Sequence, residues 1–283
     1  MSEINGQEIM KRRAPMNSMI KAVLFDLDDT LYCEYDYVDQ AFRSVAEKIC
    51  SELEKKTQLN LAERDACESE SEKASLEEAS EEEAAGVAES YSVNNIHRRM
   101  WELLEENGRG RIFDDICGEY GVKIPISELV SVYRSTKPIL RLYPDAEQIL
   151  IYLQDKKIMT GLITDGCSQV QHAKIDAIAM LRSMDVILAT DDLGKDETGK
   201  PYCKPNPYVY QYCLEKLGCE PSEAVYVGDN PAKDFHGARS LGMKTVRIVR
   251  MEGDHMKDIA EEGKEADHVI HTLLELEDLV SFE

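Results

Sequence analysis

The chain has 283 residues, long enough to bury a full core and to form either one large domain or a core with a smaller one. Its 55 Asp and Glu against 33 Lys and Arg give a formal charge of −22, which argues against nonspecific binding to nucleic acid or to an anionic membrane surface. The eight cysteines are scattered, with neither a Cys-x-x-Cys pair nor zinc spacing, and read as reduced thiols of a cytoplasmic protein; no segment approaches the roughly 20 apolar residues that span a bilayer.

Residues 1–18 read as a flexible tail that lacks the apolar core of a secretory signal, with a small basic cluster at Lys11-Arg12-Arg13. Met16 and Met19 lie so close to the first strand that an internal start stays open. The apolar, β-branched run from Ile20 to Phe25 predicts a short buried strand, and it stops at Asp26-Leu27-Asp28-Asp29-Thr30. Three carboxylates in four positions are costly unless something cationic neutralises them. A bland alternative is a polar turn in which Asp29 or Thr30 caps a local helix.

After Tyr32 the pattern turns helical, with Val38, Ala41, Phe42, Val45, Ala46, Ile49 and Leu53 on one face. Residues 57–90 are rich in Glu, Ala and Ser and have little to bury, which predicts a mobile loop or a solvated helix. Helical periodicity returns at Ile96, Met100, Leu103 and Leu104, through Ile112, Ile116 and Tyr120, and from Ser127 to Tyr133. Residues 36–138 thus read as an all-helical insertion, with Trp101 as its core anchor.

From Pro144 onward helices and strands alternate. Helices are predicted at Asp145–Gln154, Ser168–Leu181, Pro207–Leu217, Asp234–Leu241 and Leu273–Leu279. Strands are predicted at Ile158–Ile163, Met184–Ala189, Ala224–Val227, Lys244–Val249 and His268–Ile270. Such alternation argues for an α/β fold, a parallel sheet covered on both faces, formed by residues 19–35 and 139–283. In an open parallel sheet ligands gather beyond the carboxyl ends of the strands.

The chemistry-bearing residues fall at those ends. Asp26 suits a nucleophile toward phosphorus and Asp28 an acid/base, with Mg²⁺ held by the acids and by substrate phosphate oxygens. Thr164, followed by Asp165 and Gly166, could hold a phosphoryl oxygen, although Thr-Asp-Gly alone is as well explained by a turn. Lys204, before a helix that proline opens, could neutralise the phosphoryl group, or could be a solvated surface lysine. In Gly228-Asp229-Asn230-Pro231-Ala232-Lys233-Asp234, Asp229 would join Asp26 at a metal, while Asp234 either caps a helix or fixes Lys204.

Taken together, Asp26-x-Asp28 with Thr30, Thr164, Lys204, and Gly228-Asp229 with Asp234 resemble the four motifs of the haloacid dehalogenase superfamily. The resemblance covers about residues 19–34 and 140–270. It implies a Rossmannoid, doubly wound parallel core with a C1-type helical cap inserted between the first and second motifs. It also implies Asp26 as nucleophile, Asp28 as acid/base, Thr164 and Lys204 as phosphoryl-binding residues, and Mg²⁺ bound by Asp26, Asp229 and the Asp28 backbone carbonyl. Asp165 stands where asparagine is frequent in the family, and the acidic stretch makes the cap unusually long. The activity implied is a Mg²⁺-dependent phosphatase of a small phosphorylated metabolite acting through an aspartyl phosphate. A 2-haloacid dehalogenase and a noncatalytic binding protein of the same fold are the alternatives. Tyr35, Tyr37, His97, Arg98 and Arg134 are the candidates for setting specificity; oligomeric state is not readable.

Overall fold

The computed structural model describes residues 19–67 and 91–279. The tail with its basic cluster and most of the acidic stretch, residues 68–90, lie outside them. Among the described residues two compact units form: one runs up to Tyr37 and resumes at Lys137, and the other is Val38–Thr136.

The first unit is built on six parallel strands in the order β3-β2-β1-β4-β5-β6. They are β1 (Ala22–Phe25), β2 (Met159–Thr164), β3 (Val186–Ala189), β4 (Ala224–Gly228), β5 (Lys244–Ile248) and β6 (His268–Ile270). All four residues of β1 are buried, because this strand sits between β2 and β4, with Phe25 beside both Leu162 and Val227. Burial on both faces accounts for an apolar run without polar alternation. The strand order reverses between β1 and β4, and a crevice opens where chain connections diverge to opposite sides of a sheet.

Helices α5 (Pro144–Asp155), α6 (Ser168–Ala177), α7 (Pro207–Leu217), α8 (Phe235–Ser240) and α9 (Leu276–Leu279) accompany the strands. One core cluster joins Leu24, Ile163, Leu188 and Tyr226 of the sheet to Val209, Tyr210 and Leu214 of α7 and Phe235 and Ala238 of α8. The helix predicted over 168–181 is interrupted. Ile178 adopts φ −108°, ψ 90° and buries its side chain, and the chain continues as a 3-10 turn, Ala179–Ser183. Its burial outweighs local helical preference. Strand β3 starts at Val186 rather than Met184, after the Asp185 carboxylate has accepted the Thr160 amide at 2.7 Å.

The second unit is helical. It contains the body of α1 (Glu34–Cys67), then α2 (Val93–Asn107), α3 (Ile112–Tyr120) and α4 (Ile126–Arg134). Helix α1 continues into the first part of the acidic stretch. The core of this unit gathers Val38, Phe42, Val45, Ile49 and Leu53 with Ile96, Met100, Ile116 and Leu129, which is the amphipathic pattern read from the chain. Trp101 packs edge-on against Phe42 at 5.5 Å, and its indole donates to Asp39 at 3.1 Å. No helix among the described residues is long and apolar enough to cross a membrane.

Candidate active site

Asp26 follows the buried central strand directly, and its amide still donates to Val227 of β4 at 2.8 Å, so the ladder carries it to the sheet's carboxyl rim. The turn after it is fixed by Asp29, whose backbone is left-handed (φ 54°), a conformation Asp tolerates better than most residues. The Asp29 carboxylate accepts the amide of Glu34, the first residue of α1, at 2.9 Å, and that of Asp254 at 3.1 Å. Asp29 therefore performs the helix-entry role that a bland reading allowed. Asp26 and Asp28 are left for other partners.

The Asp26 carboxylate meets the Lys204 ammonium at 2.7 Å, and Lys204 meets Asp234 at 2.8 Å. All three residues are buried. Lys204 also donates to the Tyr226 hydroxyl at 3.0 Å. Asp234 does not cap α8 with its side chain: one oxygen takes Lys204 and the other accepts the Asn230 amide at 2.8 Å. Gly228 is required for this approach, since a Cβ there would lie 2.5 Å from an Asp234 oxygen. Gly237 is equally confined, because a Cβ would sit 2.1 Å from the Pro205 carbonyl oxygen and so displace the loop that carries Lys204.

Oxygens of Asp26, Asp229 and Asp234 all lie within 4.8 Å of one another. Burial, and then the neighbouring carboxylates Asp234 and Asp26, push the Asp229 carboxyl well up. Burial likewise pushes Asp26 up to about 6, against the pull of Lys204. Burial works against the Lys204 ammonium, but Asp234 and Asp26 outweigh it and hold that group well above its usual range. Three crowded buried oxygen donors with more negative charge than the lysines offset are the chemistry that a hard divalent cation fits. The Asp28 side chain lies outside this cluster, and Asp234 is inside it.

Asp28 uses a different lysine. Its Oδ1 accepts from Lys174 at 2.6 Å and from the Tyr32 hydroxyl at 2.5 Å, and its Oδ2 accepts from Gln171 at 2.9 Å. Burial opposes the ionised Asp28, yet Lys174 and these hydrogen bonds outweigh it and hold the carboxyl below its usual range. Gln171 also reaches the Thr164 hydroxyl at 2.5 Å and the Asp165 carbonyl at 2.7 Å. The Asp165 carboxylate turns the other way, accepting from Thr190 at 2.8 Å and from the Lys204 amide at 3.2 Å. It thereby braces the lysine loop. Gly166 has φ 129°, and a Cβ there would press on the Gln171 side chain at 3.3 Å. The buried Thr30 hydroxyl has no hydrogen-bond partner among the described residues, while its carbonyl accepts from Arg250 at 2.6 Å.

Sequence reasoning missed Gln171, Lys174, Tyr32 and Tyr226. For the first two a signal existed: they lie three residues apart on the buried face of α6, beside Val170 and Ile175, where long polar side chains need a reason. Of the specificity candidates, His97 lies 2.9 Å from the Asp39 carboxylate and Arg98 lies near Asn95 and Glu102, all within the helical unit.

A model described as hydrolase, haloacid dehalogenase-like hydrolase, matches residues 20–242. A glyceraldehyde 3-phosphate phosphatase of Methanocaldococcus jannaschii is 29% identical over 268 residues, covering 93% of this chain and 97% of that one. A ribulose-1,5-bisphosphate 5-phosphatase of Halopiger xanaduensis is 29% identical over 267 residues, covering 93% and 100%. Among solved structures, a HAD phosphatase from Thermococcus onnurineus superimposes with a TM-score of 0.53 at 25% identity, over 93% of this chain and 99% of that one. With a match spanning the first strand, the hydroxyl strand, the lysine loop and the double-acid strand, the chain belongs to the haloacid dehalogenase-like hydrolase family.

Proposed function

We propose that this chain is a Mg²⁺-dependent phosphatase that hydrolyses a small sugar-phosphate-type metabolite through an aspartyl phosphate on Asp26. The observation that carries the reading is the division of labour between two nearby carboxylates. Asp26 is paired with a buried lysine inside an acid cluster, and Asp28 is held apart by Lys174, Tyr32 and Gln171. The names of relatives aligned over nearly the whole chain support it, since both are phosphatases of sugar phosphates.

In the proposed reaction an Asp26 oxygen attacks phosphorus in line, and the bond to the substrate's alkoxide breaks. Asp28 gives that oxygen its proton; the anionic phosphoryl group beside it favours the protonated carboxyl until then. Asp28 then takes a proton from the water that attacks the aspartyl phosphate, which restores both acids. Lys204 offsets charge on the phosphoryl oxygens, and the Thr164 hydroxyl, which accepts from Gln171, retains its own proton to donate to one of them. Asp26, Asp229 and the Asp28 carbonyl would hold Mg²⁺, with Asp234 adjacent; when bound it supplies Lewis-acid charge neutralisation. Asp165, Gly166 and Thr30 support the phosphoryl-binding loops. A dehalogenase needs no proton for its leaving halide, so Asp28 speaks for an ester substrate.

We further propose that the helical unit serves as the cap that selects the substrate. The scattered, unpaired spacing of the cysteines supports a cytoplasmic site of action. The direct test is phosphate release from a panel containing glyceraldehyde 3-phosphate, ribulose 1,5-bisphosphate, phosphoglycolate and nucleoside monophosphates, with and without Mg²⁺. Turnover of a sugar phosphate only with metal is expected; metal-independent turnover, or none, would sink the proposal.

Metal binding has its own readout in thermal stability. Asp26, near 3.8 in the unfolded chain and about 6 when folded, binds more protons folded than unfolded between those values. Its stabilising contribution is present below about 3.8 and lost as pH rises through about 6, and the upward shift of Asp229 acts in the same direction. A cation that offsets these charges should therefore raise the melting temperature more at pH 7.5 than at pH 5. At 100 times its dissociation constant, mass action supplies about 2.7 kcal/mol. A shift of equal size at both pH values would argue against binding at these acids.

A further inference from the structure

Lys174 is buried on α6 with 3% of its side chain exposed, and the steps above make no use of it. A charged ammonium in that position is costly unless a carboxylate answers it. Its close carboxylate partner is Asp28 at 2.6 Å, with Glu34 more distant at 3.8 Å, and the rings of Tyr37 and Tyr32 lie 4.8 and 5.9 Å from the nitrogen. An aspartate's terminal torsion is broad when free. Here donors meet both oxygens, Lys174 and Tyr32 on Oδ1 and Gln171 on Oδ2, which fixes the plane of the carboxylate. The Gln171 amide has two N–H groups for three acceptors within reach, Asp28, Thr164 and the Asp165 carbonyl. The orientation of Asp28 is thus tied to that of the Thr164 hydroxyl.

We propose that Lys174 is a positioning residue, which together with Gln171 orients Asp28 for protonation of the departing alkoxide. The inference rests on the phosphatase reading. Misplacing an acid by about 1 Å is enough to cost on the order of 100-fold, and only a substrate whose leaving group needs the proton would register it. A nitrophenolate departs without one; the alkoxide of glyceraldehyde 3-phosphate does not. The quantity to compare is kcat/KM, which reports steps only through the first irreversible one, transfer of the phosphoryl group to Asp26.

The experiment measures kcat/KM of wild type, Lys174→Met and Lys174→Arg with glyceraldehyde 3-phosphate and with p-nitrophenyl phosphate, in Mg²⁺. For Lys174→Met the expected result is a loss about 10- to 100-fold larger on the alkyl ester than on the aryl ester. Lys174→Arg should recover part of the alkyl-ester rate, because it keeps the cation. Should Lys174→Met fail to fold, Lys174→Arg carries the test alone, with a smaller loss confined to the alkyl ester. Equal losses on both esters, or no loss on either, would overturn the assignment of Lys174 while leaving the phosphatase reading intact. A wild type inert toward p-nitrophenyl phosphate and toward every sugar phosphate of the panel would overturn that reading and this inference with it.

Discussion

Asp26→Asn is expected to reduce phosphate release by on the order of 10,000-fold or more, because in the proposed reaction an Asp26 oxygen bonds to phosphorus and an asparagine amide does not replace it as nucleophile. Fold should survive. Burial is the largest influence on Asp26, and it disfavours the ionised form that asparagine removes. Lys204 would keep Asp234 at 2.8 Å as its counterion. The melting temperature of the metal-free variant should therefore equal or exceed that of the wild type, which separates loss of a nucleophile from loss of structure. Activity within tenfold of wild type in a pure sample would mean that Asp26 is not the nucleophile, and a large fall in melting temperature would mean that the charge itself is structural.

Lys204→Met should damage both activity and stability. The ammonium lies between Asp26 at 2.7 Å and Asp234 at 2.8 Å, with no solvent exposure of its side chain. Methionine conserves much of the volume but leaves the buried acids without their shared cation. Breaking a buried pair in this way costs roughly 3–5 kcal/mol. Loss of charge stabilisation at the phosphoryl group should cost a further 100- to 1000-fold in kcat. There is also a signature in pH. Lys204 pulls the Asp26 carboxyl down against burial, so its removal lets that carboxyl rise further above about 6, and the acidic limb of kcat/KM should move to higher pH. Denaturant titration and a pH–rate profile read the two effects separately. An unchanged stability midpoint together with an unmoved acidic limb would show that Lys204 does not hold these acids.

The chain by itself determined a good deal. The run from Ala22 to Phe25 is apolar at every position because the strand is covered on both faces, and such a run ending in Asp26-x-Asp28 marks both a central strand and its rim. Helix and strand periodicities gave the alternating order, and the residues near the strand ends offered the acids, the hydroxyl and the lysine as candidates. These are local properties: they depend on a few neighbouring residues and survive in a linear reading. Even Gly228 makes sense locally, as the residue that lets an acid six positions later approach the backbone.

Which acid meets which lysine was decided only in three dimensions. Asp26 and Asp28 lie two residues apart, yet one pairs with Lys204 from the loop before α7 and the other with Lys174 from α6. The sequence allows Asp234 to be either a helix cap or a lysine anchor; the tertiary structure gives it to Lys204 and the Asn230 amide. The partner of Lys174 was not legible in the chain, because it lies 146 residues away and a lysine on a helix is ordinarily a solvated one. Burial is a property of the assembled sheet and helices, not of the chain. The same assembly raises Asp26 and Asp229, lowers Asp28, and so separates two carboxylates that the sequence presents as near equals.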